Sequence, residues 1–584
     1  MAREGHGYHR SPMLTLIPDL ATFLLLIPGG ALLWASWLRH RRPAEAFTLG
    51  LGGSLLAIFF VGLGIHIQSL PRLLWLVLPT AIAGGLWWRR SEVAAVARDA
   101  ELRALGLAWI IFAAWSLGLL GLVVVYSGGG WAGDWVEHFE RANFFLSGGA
   151  PDQKFYRGYY TLSARPPLAN VVTSALMYLS GRTFADYQVF TTLLSTLILF
   201  PTWLLAARWM PRAGASSPFV VCVLLMLNPM VAQNLTFAWT KLPAAFWILL
   251  GTYFLLGGFT AAGDAPGRRI GFACLAAAMV THYSAGPWIL VALGAYVVHG
   301  RSRLRSRDFW KETAAHALTA LLILGPWAFW ISAREGVVSA LTQNTSAQAA
   351  VGKSLLTQAE ITALNIRDTL IPLPFRNVDT SLLNQSSRLG RLRDDFFNFY
   401  QLSVVSALGV GSVISIGLLF AGSPRPPSRR DLPWAVAVAS VIVAGVAVHT
   451  QRDPRGLAHI CLQPLVHIGL AWLAARLKDA SRGVRLGWAF GAAIDLLLGI
   501  VLHYGLQALW FAPLQDLNVY ARFMNYPDLL QNRLIPLAAR LAQPIPLIPV
   551  LLGLLLISAL FRAFAPDRTG DGAHAIHSGI RPPG

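Results

Sequence analysis

Four ionisable residues lie close together in one polar stretch of an otherwise apolar chain: Asp134, Glu137, His138 and Arg141. Spacings of three, four and seven residues place all four on one face of a helix, while Trp135, Phe139 and Leu146 fall on a more apolar face. A carboxylate presented in this way has the chemistry of a general base, which takes the proton from a hydroxyl group. We therefore predict an amphipathic helix that lies at a membrane surface and aims a carboxylate at a site.

The flanking sequence indicates how this helix is positioned. One long apolar run ends at Tyr126, and the glycines at 128–130 end its helix and let the chain turn. Downstream, Pro166 and Pro167 open a second apolar helix, Leu168 to Leu179, which is too short to cross a bilayer. Arg165 directly precedes these prolines. The polar stretch should thus lie between two membrane-embedded parts of the chain.

The composition excludes a soluble globular protein. The chain has 584 residues, of which 55% are hydrophobic and only 13% are charged, and its mean hydropathy is +0.53. About fifteen apolar runs approach the length that spans a hydrocarbon core of about 30 Å. Two are short, so a half-depth hairpin is an alternative around Ser284 and Gly286. The predicted fold class is an all-α polytopic membrane protein with outward-facing loops that carry amphipathic surface helices.

The net charge of +19 does not indicate a nucleic-acid partner, because the basic residues punctuate apolar runs. Their bias toward alternate short linkers instead predicts orientation. By that rule the run at 301–307 faces the cytoplasm, as does the C-terminus, whereas the N-terminus and the Asp134 loop face outward. We expect a multi-pass protein of a bacterial cytoplasmic or inner membrane, with its site on the outer side.

The chain divides into three predicted regions. Residues 1–103 read as accessory membrane helices, and residues 104–335 as a catalytic membrane module whose outward loop covers 127–187. Residues 336–584 form a C-terminal membrane region, with outward loops near 334–400 and 511–543. Loops of this size can cap an outward cavity, while the inward linkers are too short to form a catalytic domain.

Several familiar sites are absent from the sequence. The segment VGKS at 351–354 lacks the first glycine of a phosphate-binding loop, because Ala347 occupies that position. Cys222, Cys274 and Cys461 all lie in apolar runs, as expected of small buried residues. We predict no cofactor and no metal ligands, and a divalent metal ion is left open without supporting residues.

At Asp134 and the later run Arg165-Pro166-Pro167-Leu168, the chain resembles the GT-C superfamily of integral membrane glycosyltransferases. The resemblance is to the branch of protein O-mannosyltransferases and aminoarabinose transferases of lipid A. In that branch a membrane helix leads to an outward catalytic Asp, often Asp-Glu, and then to a Lys-Pro-Pro-Leu-like motif. Here Trp135 follows Asp134, and Arg165 replaces the Lys. Weaker similarities occur at 278–287 and 452–464.

The resemblance implies transfer of a sugar from a polyprenyl-phosphate donor to an outward-facing acceptor, with inversion. Asp134 would be the general base. The resemblance makes Glu137, His138 and His282 candidates for orienting that base or contacting the acceptor. Positive charge must hold the leaving lipid phosphate, for which the candidates are Arg165, Arg452 and Arg455. The implied partners are this donor, a glycan, lipid or protein acceptor, and the bilayer, without nucleic acid. The transferred group would be a hexosyl or pentosyl unit.

Two other classes of function fit a polytopic chain. A transporter or flippase of lipid-linked glycans would place ionisable residues at the membrane midplane, where this chain has few apart from Asp495. A polysaccharide polymerase or ligase would share the chemistry but use two large glycans. Consumption of a labelled lipid-linked sugar separates a transferase from a transporter.

Overall fold

The computed structural model describes residues 12–123, 126–127, 134–150, 152–156, 158–210, 217–260, 264–343, 354–376, 388–422, 432–477, 479–510, 537–540, 552–553 and 555–556. The glycines at 128–130, most of the predicted outward loop 511–543 and the C-terminal tail lie outside these residues. Within the described residues the secondary structure is helical, apart from one antiparallel bridge between Phe155 and Tyr160.

The helices of the first half of the chain are Pro12–Leu24, Leu25–Gly29, Gly30–Trp37, Pro43–Ile67, Arg72–Leu76, Val77–Trp88, Arg90–Ala97, Ala100–Leu120, Asp134–Ser147, Leu162–Ala164, Leu168–Leu179, Phe184–Thr196, Leu199–Trp209, Ser217–Leu227, Pro229–Thr236, Lys241–Thr260, Ala265–Met279, Tyr283–Ala285 and Gly286–Gly300. The remaining helices are Arg301–Arg303, Arg307–Glu335, Val337–Thr342, Leu355–Leu370, Leu373–Phe375, Arg388–Leu402, Val404–Ala407, Val410–Ala421, Leu432–Ala447, Ala458–Cys461, Gln463–Leu477, Arg482–Asp495, Leu496–Leu502, His503–Trp510 and Leu537–Arg540.

Seven of the described helical stretches are long and apolar enough to cross a membrane: Leu16–Trp37, Pro43–Ile67, Ala100–Leu120, Phe184–Trp209, Lys241–Phe259, Arg307–Glu335 and Arg482–Leu506. A helix pair bent by 78°, Ser217–Leu227 and Pro229–Thr236, makes an eighth if it is one span. The polytopic all-helical class is therefore present, but the predicted count of about fifteen is not confirmed. Several apolar runs form helices too short for a span, because the chain breaks within them.

The spans differ in how much protein surrounds them. Phe184–Trp209 is the most enclosed of the seven, with 94% of its most apolar stretch buried in the protein. Arg307–Glu335 lies at the periphery with 28% buried, and it exposes Leu321, Leu322 and Phe329. Exposed leucine and phenylalanine along a span of this length are what hydrocarbon contact requires.

The predicted short helix is observed as Leu168–Leu179. Its twelve residues extend about 18 Å, well short of a bilayer core, so it stays on one side. The backbone nitrogen of Leu168 donates to the Val280 carbonyl at 2.8 Å. This bond ties the start of the helix to the break between the helices Ala265–Met279 and Gly286–Gly300, where His282 lies.

Candidate functional site

The polar stretch folds as the helix Asp134–Ser147, called here the site helix. Its first turn carries Asp134 and Glu137, whose negative charges are favourable at a helix N-terminus. At the other end Gly148 adopts φ +68°, a left-handed conformation that glycine takes without a side-chain clash, and its nitrogen donates to the Phe144 carbonyl. The acidic residues in the first turn and the glycine after the last turn are thus consistent with the observed bounds of this helix.

The charged face of the site helix is buried inside the protein. Glu137, His138 and Arg141 are 0%, 3% and 1% exposed. The expectation that this helix lies on a membrane surface is therefore wrong for its charged face, because other segments of the chain cover it. Buried charges of this kind require partners. Glu137 pairs with Arg141 and with Arg165.

Arg165 joins the two carboxylates of the site helix. Its Nη2 lies 3.2 Å from Asp134 Oδ1 and its Nε lies 3.2 Å from Glu137 Oε2. The Asp134 side chain is 29% exposed and that of Glu137 only 1%. Glu137 is thus enclosed behind the guanidinium, while Asp134 is the carboxylate that an incoming molecule can reach.

Arg141 holds the loop that carries Arg165. It donates from Nε to Glu137 Oε1 at 2.9 Å, from Nη1 to the Leu162 carbonyl at 2.8 Å and from Nη2 to the Thr161 carbonyl at 2.8 Å. These bonds link the site helix to residues 161–165. Because each of its three side-chain nitrogens donates a hydrogen bond within the protein, Arg141 is a positioning residue for Arg165.

A second anchor reaches the same loop from the peripheral span Arg307–Glu335. Glu335 accepts hydrogen bonds from the backbone nitrogen of Ser163, at 3.2 Å, and from its hydroxyl. The Tyr283 hydroxyl donates to the Ser163 carbonyl at 2.7 Å. Sequence reasoning singled out neither Glu335 nor Tyr283, although Tyr283 lies within the segment 278–287, because both contacts join distant parts of the chain.

Lys241 is the functional candidate that sequence reasoning missed altogether. It begins the helix Lys241–Thr260, is 8% exposed and places Nζ 3.4 Å from the centroid of the Trp239 ring. Its charge acts on Asp134 together with that of Arg165. Among the residues described, Lys241 has no carboxylate within ion-pair distance. The sequence did contain one indication of its importance, since Lys241 is a charged residue at the start of a twenty-residue apolar helix.

The surroundings push the pKa values of the two carboxyl groups apart. Burial raises the pKa of Asp134, and the charges of Arg165 and Lys241 only partly oppose this. Burial also acts to raise the pKa of Glu137, but Arg165 and Arg141 outweigh it and lower that pKa to about 2. Glu137 therefore stays ionised, whereas Asp134 is the stronger base of the two.

The two histidine candidates are buried beside these cations. Burial lowers the pKa of His138 to about 3, and the charges of Arg165 and Arg141 lower it further against the opposing effect of Glu137. Burial, and then Arg165, Lys241 and His138, hold the pKa of His282 well below its usual value. His282 Nδ1 accepts a hydrogen bond from the Ser284 nitrogen at 3.0 Å. Both imidazoles are thus neutral at physiological pH.

Five of the predicted site residues are therefore brought together: Asp134, Glu137, His138, Arg165 and His282. The other two pair with different carboxylates: Arg452 with Asp368, and Arg455 with Asp453. In the part of the chain that the structure describes, no group of three or more His, Cys, Asp or Glu side chains is arranged to hold a metal ion.

An apolar pocket lies among the helices Pro43–Ile67, Leu168–Leu179, Phe184–Thr196 and Lys241–Thr260. The side chains that line it are Leu55, Leu168, Ala169, Val172, Leu194, Leu197, Pro243, Phe246 and Trp247. It has room for about one water molecule in this conformation, since its cavity volume is ≈ 10 Å³. Leu168 and Pro243 follow Arg165 and Lys241 by three and two residues in the sequence.

The overall fold is similar to crystal structures of ArnT from Cupriavidus metallidurans, one bound to undecaprenyl phosphate and one in the apo state. The TM-scores are 0.43 and 0.42, the sequence identity is 15% in both, and each alignment covers 78% of this chain and 77% of that protein. No family model matches the chain, and no curated protein matches it by sequence.

Proposed function

We propose that this protein is a membrane glycosyltransferase that moves a sugar from a polyprenyl-phosphate donor to an acceptor hydroxyl on the outer side, with inversion. The observation that carries the proposal is the partly exposed Asp134 carboxylate, which pairs with Arg165 at 3.2 Å and is also influenced by the charge of Lys241. A base, a phosphate-binding charge and an apolar path are the three things such a reaction needs. A nucleotide-binding domain is not among them, because the donor arrives through the bilayer.

In the proposed reaction the acceptor oxygen attacks the anomeric carbon while the bond from that carbon to the phosphate oxygen breaks. Asp134 accepts the hydroxyl proton, and the lipid phosphate leaves with the bonding electron pair. One displacement inverts the anomeric centre. The leaving phosphate is a stable anion and needs no strong general acid, so positive charge suffices to stabilise it.

Arg165 and Lys241 are the groups we assign to that phosphate. Arg165 uses Nε and Nη2 on the two carboxylates, and its Nη1 has no hydrogen bond among the described residues. Lys241 faces Asp134 without an ion-pair partner of its own in the same residues. We do not assign Arg452 and Arg455 to this phosphate, because they pair with Asp368 and Asp453 and not with the carboxylates of the site helix in any described contact. Glu137 keeps Arg165 in place and is not itself a base.

The apolar pocket supports the lipid part of the proposal. Leu168 and Pro243 line it, and these residues follow Arg165 and Lys241 by three and two positions in the sequence. An isoprenoid tail would enter by moving the surrounding helices apart, since the pocket is narrow in this conformation. A phosphate held by Arg165 and Lys241 would then lie at the polar end of the tail.

Donor consumption tests the proposed function directly. Membranes that contain the protein are incubated with polyprenyl-phosphate sugars carrying labelled hexosyl or pentosyl groups, and release of polyprenyl phosphate is measured. We expect release that depends on an added acceptor and on Asp134. A protein that moves the labelled lipid between leaflets without breaking the glycosyl bond would instead be a transporter, and the proposal would be wrong.

We expect Lys241→Met to weaken use of the donor more than the chemical step. Methionine keeps the length and apolar volume of the side chain but removes the charge, so the KM for the donor should rise about tenfold, as for one lost charge-assisted hydrogen bond. Steady-state kinetics with the donor as the varied substrate measure this. Lys241→Arg is the matched control and should recover most of the affinity. A KM that stays the same in Lys241→Met would remove Lys241 from the phosphate site.

The transfer rate should fall in acid, with a midpoint above the usual aspartate pKa of 3.8. The sign follows from the raised pKa of Asp134, because the base works only when ionised and protonation now occurs at higher pH. In Lys241→Met the midpoint should move further up, since a cation that lowered the pKa of Asp134 is lost. The measurement is kcat/KM against pH for both proteins. A midpoint that moves down in the variant contradicts the assignment.

A further inference from the structure

A second group of cations surrounds one buried carboxylate away from the site helix. Asp368 is 1% exposed, and the guanidiniums of Arg367, Arg376 and Arg452 point at it. Arg367 Nη2 lies 2.7 Å from Oδ1, Arg376 Nη1 lies 3.5 Å from Oδ1 and Arg452 Nε lies 3.4 Å from Oδ2. We call these three arginines with Asp368 the basic cluster.

The basic cluster is built from two distant chain segments that hold each other rigidly. The Asn365 side chain donates to the Gln451 carbonyl and accepts from the Asp453 nitrogen, both at 2.9 Å. Arg376 Nη2 donates to the Arg455 carbonyl at 2.8 Å. The helix Leu355–Leu370 and residues 451–457 are therefore joined by hydrogen bonds, which fix the backbone positions from which Arg367 and Arg452 reach Asp368.

The charges of the basic cluster do not balance. Asp368 is the only carboxylate paired with these three guanidiniums in the described residues, which leaves two positive charges uncompensated. Arg455 does not change this, because its ion pair is with Asp453. The buried pair of Arg376 and Asp368 is neutral by itself, so the partly exposed guanidiniums of Arg367 and Arg452 are an excess of positive charge that an anion can approach.

The arginines also have donors that the protein does not use. Arg376 is 7% exposed at its side chain, and its buried Nε has no hydrogen-bond partner in the described residues. The side chains of Arg367 and Arg452 are 49% and 46% exposed, and Arg452 reaches Asp368 only at long distances of 3.4 and 3.5 Å. The fork of a guanidinium fits two phosphate oxygens at once.

Exposed apolar side chains border the basic cluster. Leu370, Ile371 and Phe375 are 36%, 40% and 81% exposed, and they lie in the sequence between Arg367 and Arg376. The helix Leu355–Leu370 is not one of the membrane spans, so this border lies outside the spans themselves. Cations beside exposed apolar groups match an amphiphilic anion, with its charge on the arginines and its chains on the apolar side.

We propose that the basic cluster binds the phosphate headgroup of an anionic lipid. Arg367, Arg376 and Arg452 hold the phosphate, and Phe375 with its apolar neighbours contacts the beginning of the acyl chains. Asp368 keeps the three guanidiniums convergent before the lipid arrives. This inference does not depend on the proposed glycosyl transfer, because it uses none of the residues of that site.

The test uses the full chain, delipidated in detergent and titrated with phosphatidylglycerol or with phosphatidylcholine, with bound lipid counted by native mass spectrometry. We expect tight binding of phosphatidylglycerol that weakens about tenfold in Arg367→Gln and in Arg452→Gln. The matched control is Arg391→Gln, which removes one exposed arginine from the same predicted outward segment and should leave binding unchanged. Equal binding by all three variants and the unmodified protein would overturn the proposal.

Two further arms separate the lipid from its phosphate alone. Phe375→Ser should lower phosphatidylglycerol binding, whereas Phe329→Ser, which removes an aromatic ring that is 80% exposed on a peripheral span, should not. Inorganic phosphate at the same concentration as the lipid should fail to displace it. Displacement by inorganic phosphate would mean a free-phosphate site, and the lipid assignment would be wrong.

Discussion

Replacing Asp134 by Asn should lower kcat for sugar transfer by about 10²- to 10⁴-fold while the protein stays folded, the usual contribution of a positioned base. Asparagine has nearly the same shape and can still accept a hydrogen bond from Arg165, which lies 3.2 Å away. Only the ability to take a proton is lost. The KM for the donor should change little, because we assign the phosphate to Arg165 and Lys241 and not to this carboxylate.

The measurement is turnover of labelled polyprenyl-phosphate sugar by the purified variant, with folding followed by thermal unfolding in detergent. Asp152→Asn is the matched control, since Asp152 is an exposed acid in the same predicted outward loop and should be dispensable. Normal turnover by Asp134→Asn would end the general-base proposal, even if donor binding were intact.

Replacing Glu137 by Gln should destabilise the protein by about 3 to 5 kcal/mol, the usual result of removing one partner from a buried ion pair. Glu137 is fully buried and balances Arg141 at 2.8 Å and Arg165 at 3.2 Å. The variant leaves two guanidiniums enclosed with only the partly exposed Asp134 as a charged partner. Transfer should fall as well, because Arg165 loses the group that holds its Nε.

The matched control for Glu137 is Glu92→Gln. Glu92 pairs with Arg39 at 2.9 Å, but the two side chains are 30% and 55% exposed, so the loss should be below about 1 kcal/mol. Unfolding of both variants in the same detergent, by heat or by denaturant, gives the comparison. If the two variants lost the same free energy of unfolding, burial would not be the reason that the Glu137 ion pairs stabilise the protein.

Asp134 and Glu137 differ in their surroundings, so Asp134→Asn and Glu137→Gln test different properties of the site. Asp134 and Glu137 share Arg165, yet their pKa values move in opposite directions because Glu137 also has Arg141. Asp134→Asn should therefore lower the rate while the protein keeps its stability, whereas Glu137→Gln should lower both. A local motif with two adjacent acids is absent here, and Glu137, one helical turn after Asp134, lies where it can accept the shared guanidinium.

Local sequence determined much of the secondary structure around the site. Apolar runs of membrane-spanning length predicted helices, and charged residues at helical spacing predicted the helix Asp134–Ser147. The two prolines after Arg165 predicted where the helix Leu168–Leu179 begins. These features depend on residues within one or two turns of each other, which is why periodicity and capping reveal them.

Tertiary structure alone decided which faces are covered and which distant charges meet. It buried the charged face of the site helix, brought Lys241 toward Asp134 and placed Arg452 on Asp368. It also set the number of spans, since breaks such as the 78° bend between Leu227 and Pro229 divide apolar runs that look continuous in composition. The physical reason is that burial and ion pairing join residues tens to hundreds of positions apart. Hydrophobic periodicity depends only on neighbouring residues, so it does not predict those distant partners.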